Sequence, residues 1–478
     1  MPNYVYFLIS VVALIGGYAI YGTIVEKIFG ARPERPVPAR TRADGVDFVE
    51  MPAWKVWLIQ LLNIAGVGPV FGPILGALWG PSALLWIVIG CIFAGAVHDY
   101  FAGMLSVRYD GANVPTIVGH NLGNTAKIVM QVFSVVLVVL VGVVFVAAPA
   151  GLLAKLTPDW MNMTFWICVI FAYYFLATIL PIDQIIGRFY PLFGAVLIFM
   201  AVGITTMLFV SGTEFFPSMH WANQHPKQLP IYPLVFITIA CGALSGFHAT
   251  QSPLMARCLA NERLGKPVFY GGMIAEGLIG LVWATVAMSF YHTPEALTGA
   301  LAAGGPGNVV SEASFALMGS VGGVLAILGV VVLPITSGDT AFRAARLTIA
   351  EAFSFSQANH KNRLLIAVPI FAIGIVLANV DFNIIWRYFG WANQSLAGIV
   401  LWAGAAYLYR KSKFHWICTA PAMFITSVAI SYICFEKNMG LGLPIDVSNI
   451  IGAAVAIVCL VALLLLGRRT IAGAPENV

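Results

Sequence analysis

Charged residues are scarce in this sequence. Asp, Glu, Lys and Arg together make up 9% of its 478 residues, whereas about 25% is usual in a soluble protein. Hydrophobic residues make up 60%, so the composition excludes an ordinary soluble domain and indicates an all-α protein that crosses the membrane many times. The net charge of +5 comes from basic residues dispersed over many loops, and we therefore expect no nucleic-acid partner.

Closely spaced cysteines are also absent. The seven cysteines lie in or beside apolar segments, and no two of them have CxxC spacing. We therefore expect no disulfide framework, no metal site and no cofactor apart from a coupling proton or Na⁺. The sequence contains no HExxH motif, no nucleophile–base pair and no stretch long enough for a soluble catalytic domain, so we expect that the protein is not an enzyme.

Long apolar segments are abundant and predict about thirteen membrane spans. A helix needs about 20 apolar residues to cross the bilayer. No basic region precedes the first apolar segment, which we therefore interpret as an uncleaved span and not as a signal peptide. The predicted spans are 4–28, 54–79, 82–107, 127–148, 163–180, 189–211, 232–256, 270–291, 316–341, 364–379, 385–409, 414–435 and 447–467.

The basic residues predict the orientation of these spans. Inner loops of membrane proteins are rich in Lys and Arg. With the N-terminus outside, only Lys155, Lys227, Arg387 and Lys437 fall in outer loops, which leaves 21 of the 25 basic residues in inner loops or at inner ends. We therefore expect the N-terminus outside and the C-terminus in the cytoplasm.

The spans and loops divide the chain into six parts. The loop after the first span is rich in proline and polar residues, which predicts an extended linker. Within the last third, segment 292–315 contains Gly304-Gly-Pro-Gly307 and is expected to be a loop. The six parts are an extra N-terminal span (1–28), a cytoplasmic linker (29–53), a first five-helix repeat (54–211), an extracellular loop that caps or gates the protein (212–231), a second five-helix repeat (232–409), and two C-terminal spans with a tail (410–478).

The first repeat opens with a helix that cannot stay regular. Residues 63–73 include three glycines and two prolines, and Pro69 and Pro73 each lack an N–H and clash with the preceding turn. Irregular backbone survives in a bilayer only where it is buried in protein or lines a wet cavity, so we predict a binding site here. A simple proline kink is the alternative, although a kink needs only one proline. The candidate substrate-binding residues are Asn63, Gly66 and Gly68.

A second interrupted helix opens the second repeat. Segment 241–253 combines glycines, hydroxyls, a proline and a histidine inside an apolar span. His248 is suited to hydrogen bonding with a substrate carboxylate or to carrying a proton; the alternative is a histidine satisfied by carbonyls of the broken helix. The candidate substrate-binding residues are Gly242, Ser245, Gly246, His248 and Gln251.

The spacing of the two breaks predicts an inverted repeat. Five spans run from the first break to the second, and because five is odd the second unit starts on the opposite side of the membrane. Broken helices at equivalent places in two inverted units are typical of secondary transporters, whose substrates bind at mid-membrane.

The first break resembles a known fold. Residues 63–68 resemble the unwound first core helix of the LeuT-type (amino acid–polyamine–organocation) fold, and Thr336-Ser337 lies on the eighth core span. In sodium-coupled members of that fold, adjacent hydroxyls complete a cation site, although proton-coupled members also exist. The alternative is that both hydroxyls bond to carbonyls four residues earlier in their own helix. The ion site implied by the resemblance comprises the carbonyls of Leu62, Ala65 and Leu333 and the hydroxyls of Thr336 and Ser337.

Three motifs also resemble the carbon starvation protein A family. They are residues 63–74, 94–104 and 242–253, and the resemblance extends from 54 to about 350. Family members are bacterial and archaeal inner-membrane proteins described as starvation-induced peptide transporters, and some are described as proton-coupled pyruvate importers. The resemblance implies location in the cell inner membrane and a peptide or pyruvate as the small-molecule partner.

Besides His248, four ionisable residues inside predicted spans are candidate functional groups, because charge there is costly and indicates function. His98 and Asp99 are candidates for proton coupling; the alternative is a pair at the membrane interface organised with Arg108. Glu276 is the only acid in its span and is a candidate proton carrier, or else it pairs with a neighbouring helix. Asp339 is either a partner of Arg343 at i,i+4 or part of an inner gate.

These features predict a secondary active importer of a small carboxylate-bearing nutrient, driven by a proton or sodium gradient. A passive channel is the first alternative, but the polar residues cluster at two breaks and form no continuous stripe. A membrane-embedded nutrient or starvation sensor is the second alternative, and it would need a partner protein to supply its output.

Overall fold

The computed structural model describes residues 2–45, 47–179, 182–218, 220–357, 359–380 and 382–467, and in these ranges the protein is helical without strands. Short 3₁₀ or π segments lie at Ala77–Trp79, Cys91–Gly95, Glu262–Leu264 and Lys266–Tyr270. The α-helices are α1 (Tyr4–Ala19), α2 (Tyr21–Phe29), α3 (Pro38–Thr41), α4 (Ala53–Ile64), α5 (Gly68–Gly76), α6 (Pro81–Gly90), α7 (Ala96–Arg108), α8 (Val114–Leu122), α9 (Asn124–Leu156), α10 (Met163–Ile179), α11 (Ile182–Val210), α12 (Ile231–Thr238), α13 (Phe247–Ala256), α14 (Gly271–Phe290), α15 (Pro294–Ala352), α16 (His360–Leu377), α17 (Phe382–Arg410), α18 (Trp416–Phe435) and α19 (Ile445–Leu466).

Every predicted span is helical over most of its described length, so the all-α, multi-pass class is confirmed. Among the described residues, eight helices are long and apolar enough to cross a membrane, and nine if the bent pair α4 and α5 counts as one span. Other helices are shorter than a membrane span requires. Helix α10 (Met163–Ile179) ends early, and α12 and α13 are the two halves of one apolar segment that a break divides. The number thirteen therefore stays a prediction.

The linker after α2 is folded against the bundle and is not extended. It contains the helical turn α3, and Val37 and Ala39 beside it are buried. The Met51 N–H donates to the carbonyl of Cys258 (3.2 Å). The reason is that Val37, Pro38 and Ala39 are apolar and bury surface against the helices.

The predicted loop at 292–315 is wrong, because most of this segment belongs to α15. Thr293 caps the helix by accepting a hydrogen bond from the Ala296 N–H (3.2 Å), and a proline stands in the first turn. Both are strong helix-start signals. The glycines interrupt α15 only locally, at Gly304–Gly305 and again at Gly319, where Gly305 and Gly319 have φ of +67°.

Segment 212–231, which is predicted to be an outer loop, is largely non-helical and packs onto the helix ends. The Trp79 indole N–H donates to the carbonyl of Leu229 (3.0 Å), and the Trp79 ring lies 4.4 Å from that of His225. The Asn3 amide donates to the carbonyl of Phe216 (3.1 Å). The segment thus ties the start of α1 to the end of α5, and its role as a gate stays a prediction.

Long helices surround the two interrupted ones. α15 packs against α9 and α11, α14 against α5, and α13 against α7. The backbone of both interruptions is buried, which places the irregular residues in the interior of the bundle and away from lipid.

Candidate transport site

The first interruption separates α4 from α5. Helix α4 ends at Ile64 and α5 begins at Gly68, and the two axes differ by 50°. Pro69 stands in the first turn of α5, where its missing N–H costs no hydrogen bond. A broken helix was predicted here, and the structure confirms the break.

The second interruption separates α12 from α13. Residues 239–246 between them are non-helical, and Gly242 has φ of +85°, a conformation that favours glycine. The break and its place at the start of the second repeat were both predicted.

The two interruptions touch each other directly. A Cβ added at Gly68 would lie 2.3 Å from Sγ of Cys241, and a Cβ added at Gly72 would lie 3.0 Å from the carbonyl oxygen of Thr238. The glycines therefore allow one broken helix to pack backbone-to-backbone against the other, as small residues do at close helix contacts in membranes.

A chain of ionisable side chains connects α7, α13 and α14. His98 Nδ1 lies 2.8 Å from one carboxylate oxygen of Asp99, and His248 Nδ1 lies 2.9 Å from the other. His248 Nε2 lies 3.0 Å from Oε2 of Glu276. All four side chains are fully buried, so the four residues that were proposed separately for substrate binding or proton coupling form one continuous network.

The position of the network decides between two interpretations of His98 and Asp99. An interfacial pair with Arg108 is wrong, because Asp99 contacts His248 in the interior and Arg108 pairs with Glu262 at 2.6 Å. The turn before His98 is a π segment, Cys91–Gly95, and such widened turns are frequent at functional sites.

Glu276 is bound to the second break by two contacts. Its Oε1 accepts a hydrogen bond from the N–H of Gly242 (2.9 Å), and its Oε2 contacts His248 without hydrogen-bond geometry. The carboxylate therefore satisfies a backbone donor that the unwound helix would otherwise leave unpaired.

The sequence interpretation missed Asn393. Its Oδ1 accepts from the Ser245 hydroxyl (3.0 Å) and from the Phe247 N–H at the start of α13 (2.8 Å). The signal was present, because Asn393-Gln394-Ser395 is a polar run inside the apolar segment 385–409. A Cβ at Gly246 would lie 2.3 Å from the carbonyl oxygen of Asn393, so α17 packs directly on the second break.

The other predicted substrate residues also lie at the breaks. Asn63 accepts from the Tyr190 hydroxyl (3.1 Å), and Gln251 donates to the Thr250 hydroxyl (2.8 Å). Gly66 is packed under the ring of Phe145, which a Cβ at that position would meet at 2.0 Å. Their roles in binding stay predictions.

The residues predicted to bind an ion converge. The hydroxyls of Thr336 and Ser337 each donate to the carbonyl of Leu62 (2.9 Å and 2.9 Å), although these residues are more than 270 positions apart. Each hydroxyl also lies within hydrogen-bond distance of the Leu333 carbonyl in its own helix. Because a hydroxyl has one proton to donate, the intrahelical bond of the alternative interpretation competes with the interhelical one. Ala65 lies buried at the break itself.

Asp339 belongs to a separate cluster one turn further along α15. Its carboxylate accepts from the Tyr173 hydroxyl (2.9 Å). Arg343, its expected partner, donates to the carbonyl of Ala177. The neighbouring Tyr174 hydroxyl donates to the carbonyl of Pro334 (2.7 Å), so this cluster connects α10 to the ion-binding segment of α15.

The end of the bundle below α7 and α13 contains a basic cavity of about 890 Å³. Glu262, which the sequence interpretation did not single out, is fully buried beside it and accepts from the N–H of Arg32 (2.7 Å) as well as from Arg108. These contacts tie the linker to the helix ends. Four arginines line the cavity: Arg35, Arg42, Arg108 and Arg257.

Comparison with known proteins identifies the family. The family described as "Carbon starvation protein CstA" matches residues 3–164, 155–299 and 295–432, which is most of the chain. The chain belongs to the CstA family. The resemblance carried by the two breaks and by residues 94–104 is thereby confirmed.

Relatives within the CstA family differ in similarity. An uncharacterized membrane protein of Haemophilus influenzae is 50% identical, over 63% of this chain and 94% of its own length. Peptide transporter CstA of Bacillus subtilis is 26% identical, over 87% of each chain. Peptide transporter CstA of Escherichia coli is 25% identical, over 87% of this chain and 78% of its own.

Solved structures share the fold. Mhp1, a nucleobase-cation-symport-1 family transporter solved with bromovinylhydantoin, aligns with a TM-score of 0.55 at 15% identity, covering 89% of this chain and 94% of its own. MhsT, solved in complex with L-phenylalanine, aligns with a TM-score of 0.56 at 14% identity, covering 86% and 99%. The LeuT-like architecture is confirmed. The family and its named relatives make this chain a membrane transporter and not an enzyme.

Proposed function

We propose that this protein is a secondary active importer of a small nutrient that carries a carboxylate, either a short peptide or pyruvate. The observation that supports this most directly is the contact between the two broken helices, with the buried network from His98 to Glu276 beside it. Relatives named peptide transporter CstA support the peptide. Pyruvate rests on the resemblance alone.

The substrate carboxylate is placed at the start of α5. A helix N-terminus attracts anions through its dipole. Because Gly68 packs against Cys241, a ligand reaches this position only when the two breaks separate. The start of α13 is a weaker candidate, because Asn393 already accepts from the Phe247 N–H. The residues at both breaks are buried, so binding requires one set of helices to move against the other, as in alternating access.

The coupling cation has two candidate positions. Oxygen ligands suit a hard cation such as Na⁺, and the carbonyls of Leu62, Ala65 and Leu333 with the two α15 hydroxyls supply them. A proton would instead bind in the network of Asp99, His248 and Glu276, since buried ionisable groups at mid-membrane form proton relays. Asp339 and its tyrosine partner are assigned to gating, because they connect α10 to the same segment of α15.

The proposed setting is the cell inner membrane, with the N-terminus outside and the C-terminus in the cytoplasm. The distribution of Lys and Arg supports this orientation. It places the basic cavity and the Glu262 contacts on the cytoplasmic side, where substrate would leave.

Uptake into proteoliposomes tests the proposal. Labelled pyruvate and a labelled short peptide are offered separately, each with an imposed proton gradient and then a sodium gradient. Accumulation of one compound under one gradient, lost in Gly68→Ala and kept in Gly151→Ala, is the expected result. Gly151 is the matched control, because a Cβ there meets no atom within 4 Å.

Two outcomes would overturn the proposal. Equilibration that ignores both gradients would indicate a passive channel. Absence of uptake of either compound by folded protein would favour a nutrient sensor.

A further inference from the structure

Three side chains with metal-binding atoms converge beside the two breaks. Cys241 and His248 belong to the second break and its helix α13, and Glu276 comes from α14. The thiol sulfur, an imidazole nitrogen and a carboxylate oxygen lie within 4.8 Å of one another, and all three residues are fully or almost fully buried. These are the ligand types that Zn²⁺ takes in proteins.

The surroundings hold two of these ligands in position. His248 donates or shares its Nδ1 proton with Asp99 at 2.9 Å, which leaves Nε2 directed at Glu276. The second oxygen of Glu276 is held by the N–H of Gly242. Metal ligands are usually supported in these two ways. A carboxylate binds the histidine nitrogen that faces away from the metal, and a hydrogen bond holds the carboxylate oxygen that faces away from it.

The contact between His248 and Glu276 requires a positive charge. Nε2 and Oε2 are 3.0 Å apart but lack hydrogen-bond geometry, and neither atom has another hydrogen-bond partner among the described residues. Two lone pairs at this distance in a buried site repel each other unless a proton or a metal ion lies between them. A hydrogen bond between the two atoms weakens as it departs from linearity, whereas a metal ion accepts a bent arrangement and also uses Cys241.

We propose that Cys241 Sγ, His248 Nε2 and Glu276 Oε2 bind one divalent ion of the zinc class. Bonds of about 2.0 Å to nitrogen and oxygen and about 2.3 Å to sulfur require shifts of about 1 Å from the present positions. The thiol proton leaves to solvent as the S–Zn bond forms. The ion, the thiolate and the Glu276 carboxylate then sum to zero charge, the remaining carboxylate, Asp99, stays hydrogen-bonded to His98 and His248, and a water molecule completes the tetrahedron.

The ion would fix the second break to α14. The inference does not rest on the proposed function. The ion nevertheless affects which residues are free to carry the coupling proton. An ion retained through the transport cycle prevents His248 and Glu276 from carrying the coupling proton, and leaves Asp99 with His98 or the Leu62–Thr336–Ser337 cluster for that role. The expectation of no metal site rested on the absence of CxxC spacing, which says nothing about ligands that the fold brings together.

Metal content of the purified full-length protein tests the inference without any transport assay. The protein in detergent is incubated with Zn²⁺, freed of excess metal and analysed by elemental mass spectrometry. We expect about one ion per chain, and loss of that ion in Cys241→Ser and in Glu276→Gln. Cys258→Ser is the matched control, because Cys258 is also buried at the end of α13 and only donates to the carbonyl of Leu254.

Replacement of Zn²⁺ by Co²⁺ gives a readout that needs no variant. A cobalt–thiolate charge-transfer band with the intense visible bands of a tetrahedral ion is expected. Wild-type protein without stoichiometric metal, or bound Co²⁺ without a thiolate band, would overturn the inference. A transporter that fails to move peptide or pyruvate would leave it standing, so the two proposals fail separately.

Discussion

His248 and Asp99 are 149 positions apart in the chain, and yet His248 Nδ1 lies 2.9 Å from a carboxylate oxygen of Asp99 in the interior of the bundle. The contact joins α13, half of the second broken helix, to α7 of the first repeat. Both side chains are fully buried. Any movement of the two repeats against each other must therefore stretch, break or re-form this pair.

Neutralising Asp99 should separate driven transport from exchange. In Asp99→Asn the amide keeps the shape of the carboxylate but removes the negative charge that stabilises a protonated histidine. We expect gradient-driven accumulation to be lost while exchange of substrate across the membrane continues. Asp446→Asn, a substitution in the first turn of α19, is the control and should behave as wild type. Unchanged accumulation by Asp99→Asn would show that Asp99 carries no coupling charge.

The hydroxyl of Thr336 should matter more than an ordinary intrahelical hydroxyl. The Thr336 hydroxyl lies within hydrogen-bond distance of carbonyls in its own helix and of the Leu62 carbonyl, whereas the Thr285 hydroxyl on α14 donates to Leu281 (2.7 Å) in its own helix. In proteoliposomes we expect Thr336→Ala to need a higher sodium concentration for half-maximal uptake. Thr285→Ala, the control, should be unchanged. Equal behaviour of the two variants would support the purely intrahelical interpretation.

Close packing of the breaks should make Gly68 intolerant of a side chain. Gly68→Ala places a methyl group 2.3 Å from Cys241, and overpacking of this kind costs about 1–3 kcal/mol. Thermal unfolding in detergent should show the loss, and Cys241→Gly in the same chain should restore part of it. Gly151→Ala has open space and should change stability by less than about 0.5 kcal/mol. A Gly68→Ala protein as stable as wild type would show that the breaks are not in close contact.

The buried pair of Glu262 and Arg108 should stabilise the helix ends. Glu262→Gln leaves the Arg108 guanidinium, whose side chain is 5% exposed, without its counter-charge, and breaking a buried pair costs about 3–5 kcal/mol. Glu50→Gln removes the partner of Arg40, which lies at the surface, and should leave the melting temperature unchanged. Equal changes of melting temperature in Glu262→Gln and Glu50→Gln would contradict the structure.

Acid pH should loosen segment 212–231 through His225. Burial lowers the pKa of His225 below its usual 6.5, and its Nδ1 accepts from the Lys227 N–H (3.1 Å), a bond that protonation of Nδ1 removes. The unfolded loop therefore binds protons more readily, so its folded state is stable above about pH 6.5 and loses stability as the pH falls through that value.

Hydrogen exchange followed by mass spectrometry checks this for segment 212–231. After correction for intrinsic rates, protection should fall between pH 7.5 and pH 5.5 in the wild-type protein. His225→Gln removes the titrating group and should give protection that is independent of pH. A pH dependence that persists in this variant would assign the effect to another residue.

Local sequence chemistry determined the helices and their interruptions. Pro69 and Pro73 cannot continue a regular helix, and glycine is favoured where Gly242 turns to φ of +85°, so both breaks could be placed from the residues alone. Where the prediction failed, at 292–315, the strong start signal of Thr293 and Pro294 was outweighed by the conspicuous glycines. At Gly304–Gly305 and at Gly319 the backbone leaves helical geometry, so α15 consists of helical segments joined across kinks.

Only the tertiary structure decided which polar residues meet. His98, Asp99, His248 and Glu276 were each recognisable as ionisable groups in apolar spans, but hydropathy has no information on which faces of separate helices turn toward each other. Asn393 and Glu262 acquired their significance from partners more than 140 positions away, and Cys241 acquired it from its place beside His248 and Glu276. The sequence alone determined a membrane protein with two broken helices, because backbone chemistry acts locally. The packing of those helices decided the site, because contacts across a bundle depend on the positions of all its helices.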